Sequence, residues 1–336
     1  MRPEHWARTR ILESRDMNVI THRFAASASP RTPLRGSDVA RIAVGHALID
    51  NCSSEQVCAS IIAHAQNRGK PAYVITSNAQ HIVQLEKERS LQEIYDHADL
   101  VIPDGISLLI AARLYGRSLQ QRVAGVDIFK TLCGLAAKND LHVFLLGGRP
   151  GSAVLAATAM KNANPNLRCS TYCPPLGFEQ SAAGLKETAD AITAAQPDIL
   201  FVAFGAPKQE YWIYEHGLQL SVPVCIGVGG SFEIVGGVVP RAPLWAQNIG
   251  CEWLYRLCRE PRRMWRRYLI GNLQFAAIVL RQRIRRLFLD AFVHFLNEDR
   301  FAAELSEVTL LPHDVSLDNR SSGAVRDVKG LTTPTP

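Results

Sequence analysis

Several strand-like runs of this chain end in residues whose types could do chemistry. The run Leu100-Val101-Ile102 leads through Pro103 to Asp104 and Gly105. A carboxylate at a strand's end, beside a residue with no side chain, can accept a proton from an incoming hydroxyl. The same carboxylate can equally cap the helix that follows. Thr76-Ser77-Asn78 and Gly229-Gly230-Ser231-Phe232-Glu233 end two other runs, and Gly147-Gly148-Arg149-Pro150-Gly151 ends a fourth. That last segment lets the backbone approach a diphosphate at a helix start, where N–H groups and the helix dipole favour an anion; a plain tight turn has the same composition. Gly205-Ala206-Pro207-Lys208-Gln209-Glu210 crowds three long polar side chains into one turn, which suits a binding loop or a polar helix start. Arg256, Arg259, Arg263 and Arg266 recur at helical spacing. Their guanidinium forks match phosphate oxygens in charge and geometry. The alternative is a solvated or lipid-facing basic stripe.

The elements that must position these groups alternate along the chain. Arg41 to Leu48, Ala72 to Thr76, Leu100 to Ile102, Leu141 to Leu146, Ile199 to Phe204 and Val224 to Val228 read as strands. Helical stretches lie between them. Ser53 and Gln56 have capping-box spacing at the start of the first helix, and Gly69 can stop it. Continuous apolar strands separated by helices predict an α/β fold: a mostly parallel sheet with helices on both faces, Rossmann-like. In such sheets ligands bind beyond the carboxyl ends of the strands, where the residues above fall. Trp245 to Arg259 reads as one helix and Pro261 as the start of another. That second helix mixes arginines with Trp265, Tyr268, Leu269, Phe275, Ile278 and Leu287. This is the composition of a helix in a membrane interface, or of one packed on the domain or on a second subunit. The expected division is a disordered extension over 1–38, a catalytic α/β domain over 39–250, a basic helical membrane-associating appendage over 251–300 and a largely disordered tail over 301–336.

Composition bounds the classes. Of 336 residues 47% are hydrophobic and 20% charged, a globular balance with a filled core. The net charge of +6 is uneven: ten arginines lie between Arg256 and Arg286 against the single acid Glu260, and such a block seeks phosphates. The eight cysteines show no Cys-x-x-Cys pair and read as isolated buried thiols of a reducing compartment. The first residues lack the apolar core of a signal peptide. No apolar run reaches the roughly 18 residues of a membrane span; a cytoplasmic location is expected. There is no Asp-x-Asp pair to hold a divalent cation against a diphosphate; if the chain handles a diphosphate leaving group, something else must neutralise it, and arginine is suited to that. A nicotinamide-dependent oxidoreductase would need the full Gly-x-Gly-x-x-Gly run and a ribose-binding acid, both lacking. A nucleic-acid-binding role fits poorly with arginines set among aliphatic and aromatic residues.

Thr76-x-Asn78, Ala98-Asp99-Leu100 leading to Asp104-Gly105, and Gln121-Arg122-Val123-Ala124-Gly125-Val126-Asp127 resemble the WecG/TagA/CpsF glycosyltransferases (family 26). Gly205 to Glu210, Gly227-Val228-Gly229-Gly230-Ser231-Phe232, Arg241-Ala242-Pro243, Glu252-Trp253-Leu254-Tyr255-Arg256-Leu257 and Glu260-Pro261-Arg262-Arg263 agree with it. The resemblance spans about residues 40 to 270. It implies an inverting, metal-independent transferase with no cofactor, using a UDP-sugar donor of N-acetylmannosamine or glucose type. The implied acceptor is a polyprenyl diphosphate-linked sugar at the inner face of the cytoplasmic membrane, in surface or exopolysaccharide biosynthesis, with no nucleic-acid partner and with a homo-oligomer open. By the resemblance, Asp104 is the general base. Thr76, Asn78, Arg122 and Gln209 line the sugar and acceptor pocket, and Gly147 and Gly148 approach the donor. Arg256, Arg263 and Arg266 meet the diphosphate. Glu233 stands where the family usually has Asp beside the nucleotide base.

Overall fold

The computed structural model describes residues 34, 36 and 39–308 except 249, and only the backbone of 248, 263, 264, 266, 267 and 290–308. Most of the expected extension and the chain beyond 308 therefore lie outside the described residues. The described chain up to Ile284 forms one compact unit, and Arg285 opens a second.

The first regular elements among the described residues are a hairpin of β1 (Arg41–Val44) and β2 (Ala47–Asp50), where the sequence suggested a single strand over Arg41 to Leu48. Gly45, with φ +59°, and His46 form the turn that breaks the run. Buried Asp50 ties this hairpin to the sheet: its Oδ2 accepts the Val101 N–H at 2.7 Å. Six parallel strands follow: β3 (Ala72–Ser77), β4 (Leu100–Pro103), β5 (His142–Gly147), β6 (Arg168–Tyr172), β7 (Ile199–Ala203) and β8 (Val224–Gly227). They stand in the order β4-β3-β8-β7-β5-β6. The edge strand β6 was not foreseen, because Arg-Cys-Ser-Thr-Tyr carries no apolar run and none of its residues is fully buried.

The first helices are α1 (Ser54–Asn67), α2 (Ala79–Leu85), α3 (Arg89–Asp96), α4 (Ile106–Leu114) and α5 (Gly125–Lys138). After them come α6 (Ser152–Ala163), α7 (Ala182–Ala195), α8 (Lys208–Glu215) and α9 (Ser231–Val235). The capping box of α1 forms as read, Ser53 Oγ accepting the Gln56 N–H at 3.1 Å and Gln56 Oε1 accepting the Ser53 N–H at 2.8 Å. Strand residues point alternately to two cores. Tyr73, Ile75, Phe144, Leu146, Leu200 and Val202 meet α2, α3, α4 and α8 on one face. Val74, Leu100, Ile102, Val143, Phe201 and Ile226 meet α1, α5, α6 and α9 on the other. Continuous apolar strands are what two buried faces require.

The carboxyl-terminal helices are α10 (Leu244–Asn248), α11 (Glu252–Arg259), α12 (Pro261–Trp265) and, after a π-helical turn over Arg266–Ile270, α13 (Gly271–Val308). The single helix expected over Trp245 to Arg259 is two. Gly250 separates them with φ +75°, and a Cβ there would overlap the Ile106 side chain. Pro261 does open a helix, with its fixed φ and missing N–H. The face shared by Arg256, Arg259, Arg263 and Arg266 is therefore interrupted at Glu260 and again at the π turn. Phe275, Ile278 and Val279 of α13 are buried in the same core as α2 and the β1–β2 hairpin, and Gln282 Oε1 accepts the Gly45 N–H at 2.8 Å.

None of the eight cysteines is joined in a disulfide; Cys52, Cys58, Cys133 and Cys225 are buried as expected, whereas Cys173 and Cys258 are exposed. Gly250→Ala is expected to cost about 1–3 kcal/mol through the left-handed backbone, with more from the Ile106 overlap, read as a lowered urea midpoint.

Candidate active site at the carboxyl edge of the sheet

The helices that follow β5 and β7, α6 and α8, leave on opposite faces, as do α2 and α9 after β3 and β8. Crevices therefore open at the carboxyl ends of these strands, where open α/β sheets bind ligands.

Asp104 follows β4 directly, and its N–H donates to Ser77 O at 2.8 Å. Its Oδ1 accepts the Gly125 N–H at 2.8 Å. The carboxylate is thus a helix cap after all, but of α5 rather than of the adjacent α4, whose cap Gly105 makes no side-chain bond. Burial pushes the Asp104 carboxyl above the ordinary carboxylate range. The Gly125 N–H opposes that rise, Glu252 adds to it, and the guanidiniums of Arg256 and Arg122 pull it down.

Around Asp104 the charges interlock. Arg122 Nη1 donates to Glu252 Oε2 at 3.3 Å, and Arg256 Nη2 donates to Glu252 Oε1 at 2.8 Å. Arg241 grips Asp127 with both terminal nitrogens, at 2.5 and 2.7 Å. That fork holds the Asp127 carboxyl below its usual range, and Asp104 and Glu252 both act on Arg241. Glu252, Arg241 and Asp127 were given no role from sequence. They stand inside the quoted motifs, but only contact reveals that an acid from α11 joins an arginine from before α5.

A shallow cleft, widely open to solvent, lies beside this cluster. Arg149, Glu233, Tyr255, Arg256, Arg259 and Glu260 line its polar side, and Ile234, Val239 and Pro240 its apolar side. Arg149 and Glu260 pair across it at 3.0 Å. Glu233 Oε1 accepts the Arg149 N–H at 3.0 Å, so in this structure a protein carboxylate takes an N–H of the glycine loop. Gly147 and Gly148 have φ +87° and +81°, and a Cβ on Gly147 would come within 2.6 Å of the Phe204 ring. Their glycine identity is demanded by packing, whatever approaches them.

Thr76 and Gln209 are 5% and 2% exposed. The Thr76 hydroxyl donates to Gly227 O at 2.7 Å, joining β3 to β8. Gln209 donates to Glu210 Oε1 at 2.8 Å and accepts the Gly229 N–H at 3.0 Å. Both stiffen the floor beneath the crevice. Asn78 caps α2, its Oδ1 accepting the Gln80 N–H at 3.0 Å. Arg263 and Arg266 have side chains outside the described residues; only their backbones, in α12 and the π turn, are described.

Because the folded Asp104 carboxyl titrates above its unfolded value, its ionisation opposes folding at neutral pH and does not below the unfolded value, about 3.9. Asp104→Asn keeps an acceptor for Gly125 and removes the charge. It is expected to raise Tm at pH 7, with the advantage shrinking as pH falls toward the unfolded value; calorimetry across pH checks this.

The profile of the glycosyl transferase WecG/TagA/CpsF family matches residues 42–288. An N-acetylglucosaminyldiphosphoundecaprenol N-acetyl-beta-D-mannosaminyltransferase of Bacillus spizizenii (strain ATCC 23059 / NRRL B-14472 / W23) is 31% identical over 214 residues, 62% of this chain and 81% of the relative. A protein of the same name from Bacillus subtilis (strain 168) is 33% identical over 211 residues, 63% of this chain and 80% of the relative. The match runs from the β1–β2 hairpin into α13 and takes in Asp104, the Glu252 bridge and the cleft: the chain belongs to the glycosyl transferase WecG/TagA/CpsF family.

Proposed function

We propose that this glycosyltransferase moves a hexose, of N-acetylmannosamine or glucose type, from a UDP-sugar to a polyprenyl diphosphate-linked sugar, inverting the anomeric centre without a metal. The relatives' names supply the acceptor class and favour N-acetylmannosamine. The observation that carries the reading is that Arg256 serves two places at once. It lines the cleft beside Glu233, and its charge acts on Asp104.

Inversion needs a base on one side of the anomeric carbon and a stabilised leaving group on the other. Asp104, its proton affinity raised by burial, takes the proton of the acceptor hydroxyl. The oxygen then bonds to the anomeric carbon as the bond to the β-phosphate breaks, and the electron pair leaves with UDP. Arg122 and Arg256 face the growing negative charge, as preorganised cations do best in a partly desolvated site. Glu233, Tyr255 and the apolar wall receive the nucleoside end. Arg263 and Arg266 join the diphosphate contacts by the family resemblance alone.

No helix among the described residues is long and apolar enough to cross a membrane. Trp265, Leu269, Ile270 and Leu273 are exposed beside a run of arginines, a composition that suits attachment to an anionic lipid surface at the inner membrane face, where the lipid-linked acceptor resides.

A panel of UDP-sugars with a short-chain polyprenyl diphosphate-sugar acceptor should give UDP release and a product of inverted configuration by NMR, unchanged by chelator. Asp104→Asn should lower kcat by about 10²–10⁴-fold, the usual worth of a general base, and leave UDP affinity intact. Retained configuration, chelator-sensitive turnover or rapid turnover of the variant would each overturn a part of the reading.

A further inference from the structure

Helix α11 carries Arg256, yet none of its residues is buried. Ion pairing therefore helps to hold that arginine, beside the Trp253–Tyr268 ring contact that links the helix to the π turn. The first residue of the helix, Glu252, spans two guanidiniums, 3.3 Å to Arg122 Nη1 and 2.8 Å to Arg256 Nη2. Side-chain exposures of 18% for Glu252, 19% for Arg122 and 33% for Arg256 set the bridge back from open water, where screening would weaken it. Two guanidiniums brought together would repel; a carboxylate between them offsets that repulsion and fixes their spacing. Arg122 belongs to the loop before α5, whereas Arg256 belongs to α11, so the bridge also sets where the appendage sits over the sheet edge. Each arginine uses one terminal nitrogen in the bridge, and a guanidinium carries five N–H donors, so both retain donors able to face an incoming phosphate.

We propose that Glu252 is a positioning residue of the transfer reaction: by bridging Arg122 and Arg256 it holds the two guanidiniums at the spacing in which they receive the departing diphosphate, opposite Asp104. The role rests on the reading of the site given above and adds to it a residue that need not touch substrate. It acts through its two arginines, and through its charge on Asp104. Among the described residues, the groups acting on Asp104 are the Gly125 N–H, Arg122, Arg256, Arg241 and Glu252, and of these Glu252 is the acid.

The test uses the full chain with Glu252→Gln, which keeps the shape and removes the charge. UDP affinity by calorimetry should fall about tenfold, the worth of a weakened charge-assisted contact, and kcat should fall with it. Arg256→Lys should do the same, and the double variant should lose no more than the weaker single, the mark of side chains that act as one unit. The acid limb of the kcat/KM profile should move to lower pH in Glu252→Gln, because the acid that raises the Asp104 proton affinity is gone. A merely structural loss, with the arginines swung away, would move that limb to higher pH. Should Glu252→Gln lose its folded near-UV spectrum, Glu252→Asp carries the test. It keeps the charge but is one methylene too short to span both guanidiniums, so UDP affinity and kcat should fall while the fold is retained; unchanged values would overturn the role. Unchanged UDP affinity and kcat, additive losses or an upward shift of the limb would overturn the role of Glu252 alone. Failure of the unaltered chain to bind UDP would overturn the donor reading, and this role with it.

Discussion

Like charges do not gather at a protein surface unless something of opposite sign holds them, and at the carboxyl edge of this sheet Glu252 does so. Arg122 and Arg256 meet on its two oxygens, Arg241 is forked onto Asp127, and Asp104 lies within the field of Glu252 and the three arginines. No side chain of α11 is fully buried, so the bridge, beside the Trp253–Tyr268 ring contact, helps to locate the helix. The strength of the arrangement comes from partial shielding, because Coulomb attraction grows as water is excluded while full burial would cost more desolvation than it returns.

Below this cluster the sheet edge is held by bonds that leave little freedom. Thr76 and Gln209 connect the ends of β3 and β8 to their neighbours, and Asn78 fixes the start of α2 while its own N–H donates to His81 Nδ1 at 3.1 Å. Satisfied hydrogen bonds of this kind leave the groups at the sheet edge little room to reorganise. The positive φ at Gly147 and Gly148 lets the chain turn where Phe204 and Ser152 crowd in.

The carboxyl-terminal helices are attached in two physically different ways. The first turns of α13 dock by burial of Phe275, Ile278 and Val279, helped by Gln274 accepting from Lys87 at 3.1 Å and by the Arg281–Glu86 pair. Apolar burial of this sort is insensitive to salt. The segment between Gly250 and Pro261 is instead tethered by the Arg122–Glu252 and Arg149–Glu260 ion pairs, one at each end, which salt weakens. The region nearest the cleft is therefore held by the more salt-sensitive contacts.

Much of this could be read along the chain, because the signals are local. Uninterrupted apolar runs such as Leu141 to Leu146 announced a sheet covered on both faces, the Ser53–Gln56 spacing announced a cap, and Pro261 announced a helix start. The family motifs named Asp104 and Arg256 without any coordinates. Other features depend on groups that only folding brings together. Gly45 and Gly250 break a strand and a helix that pattern alone would continue, one by the turn it makes and the other by a collision with Ile106 far away in sequence. β6 forms although its residues lack an apolar run, since an edge strand borrows its order from β5. Asp104 caps α5 rather than α4, and Glu252 meets Arg122 across 130 positions. Local composition settles which backbone states are cheap; the pairing of charges depends on distances through space, and those exist only once the two cores of the sheet have closed.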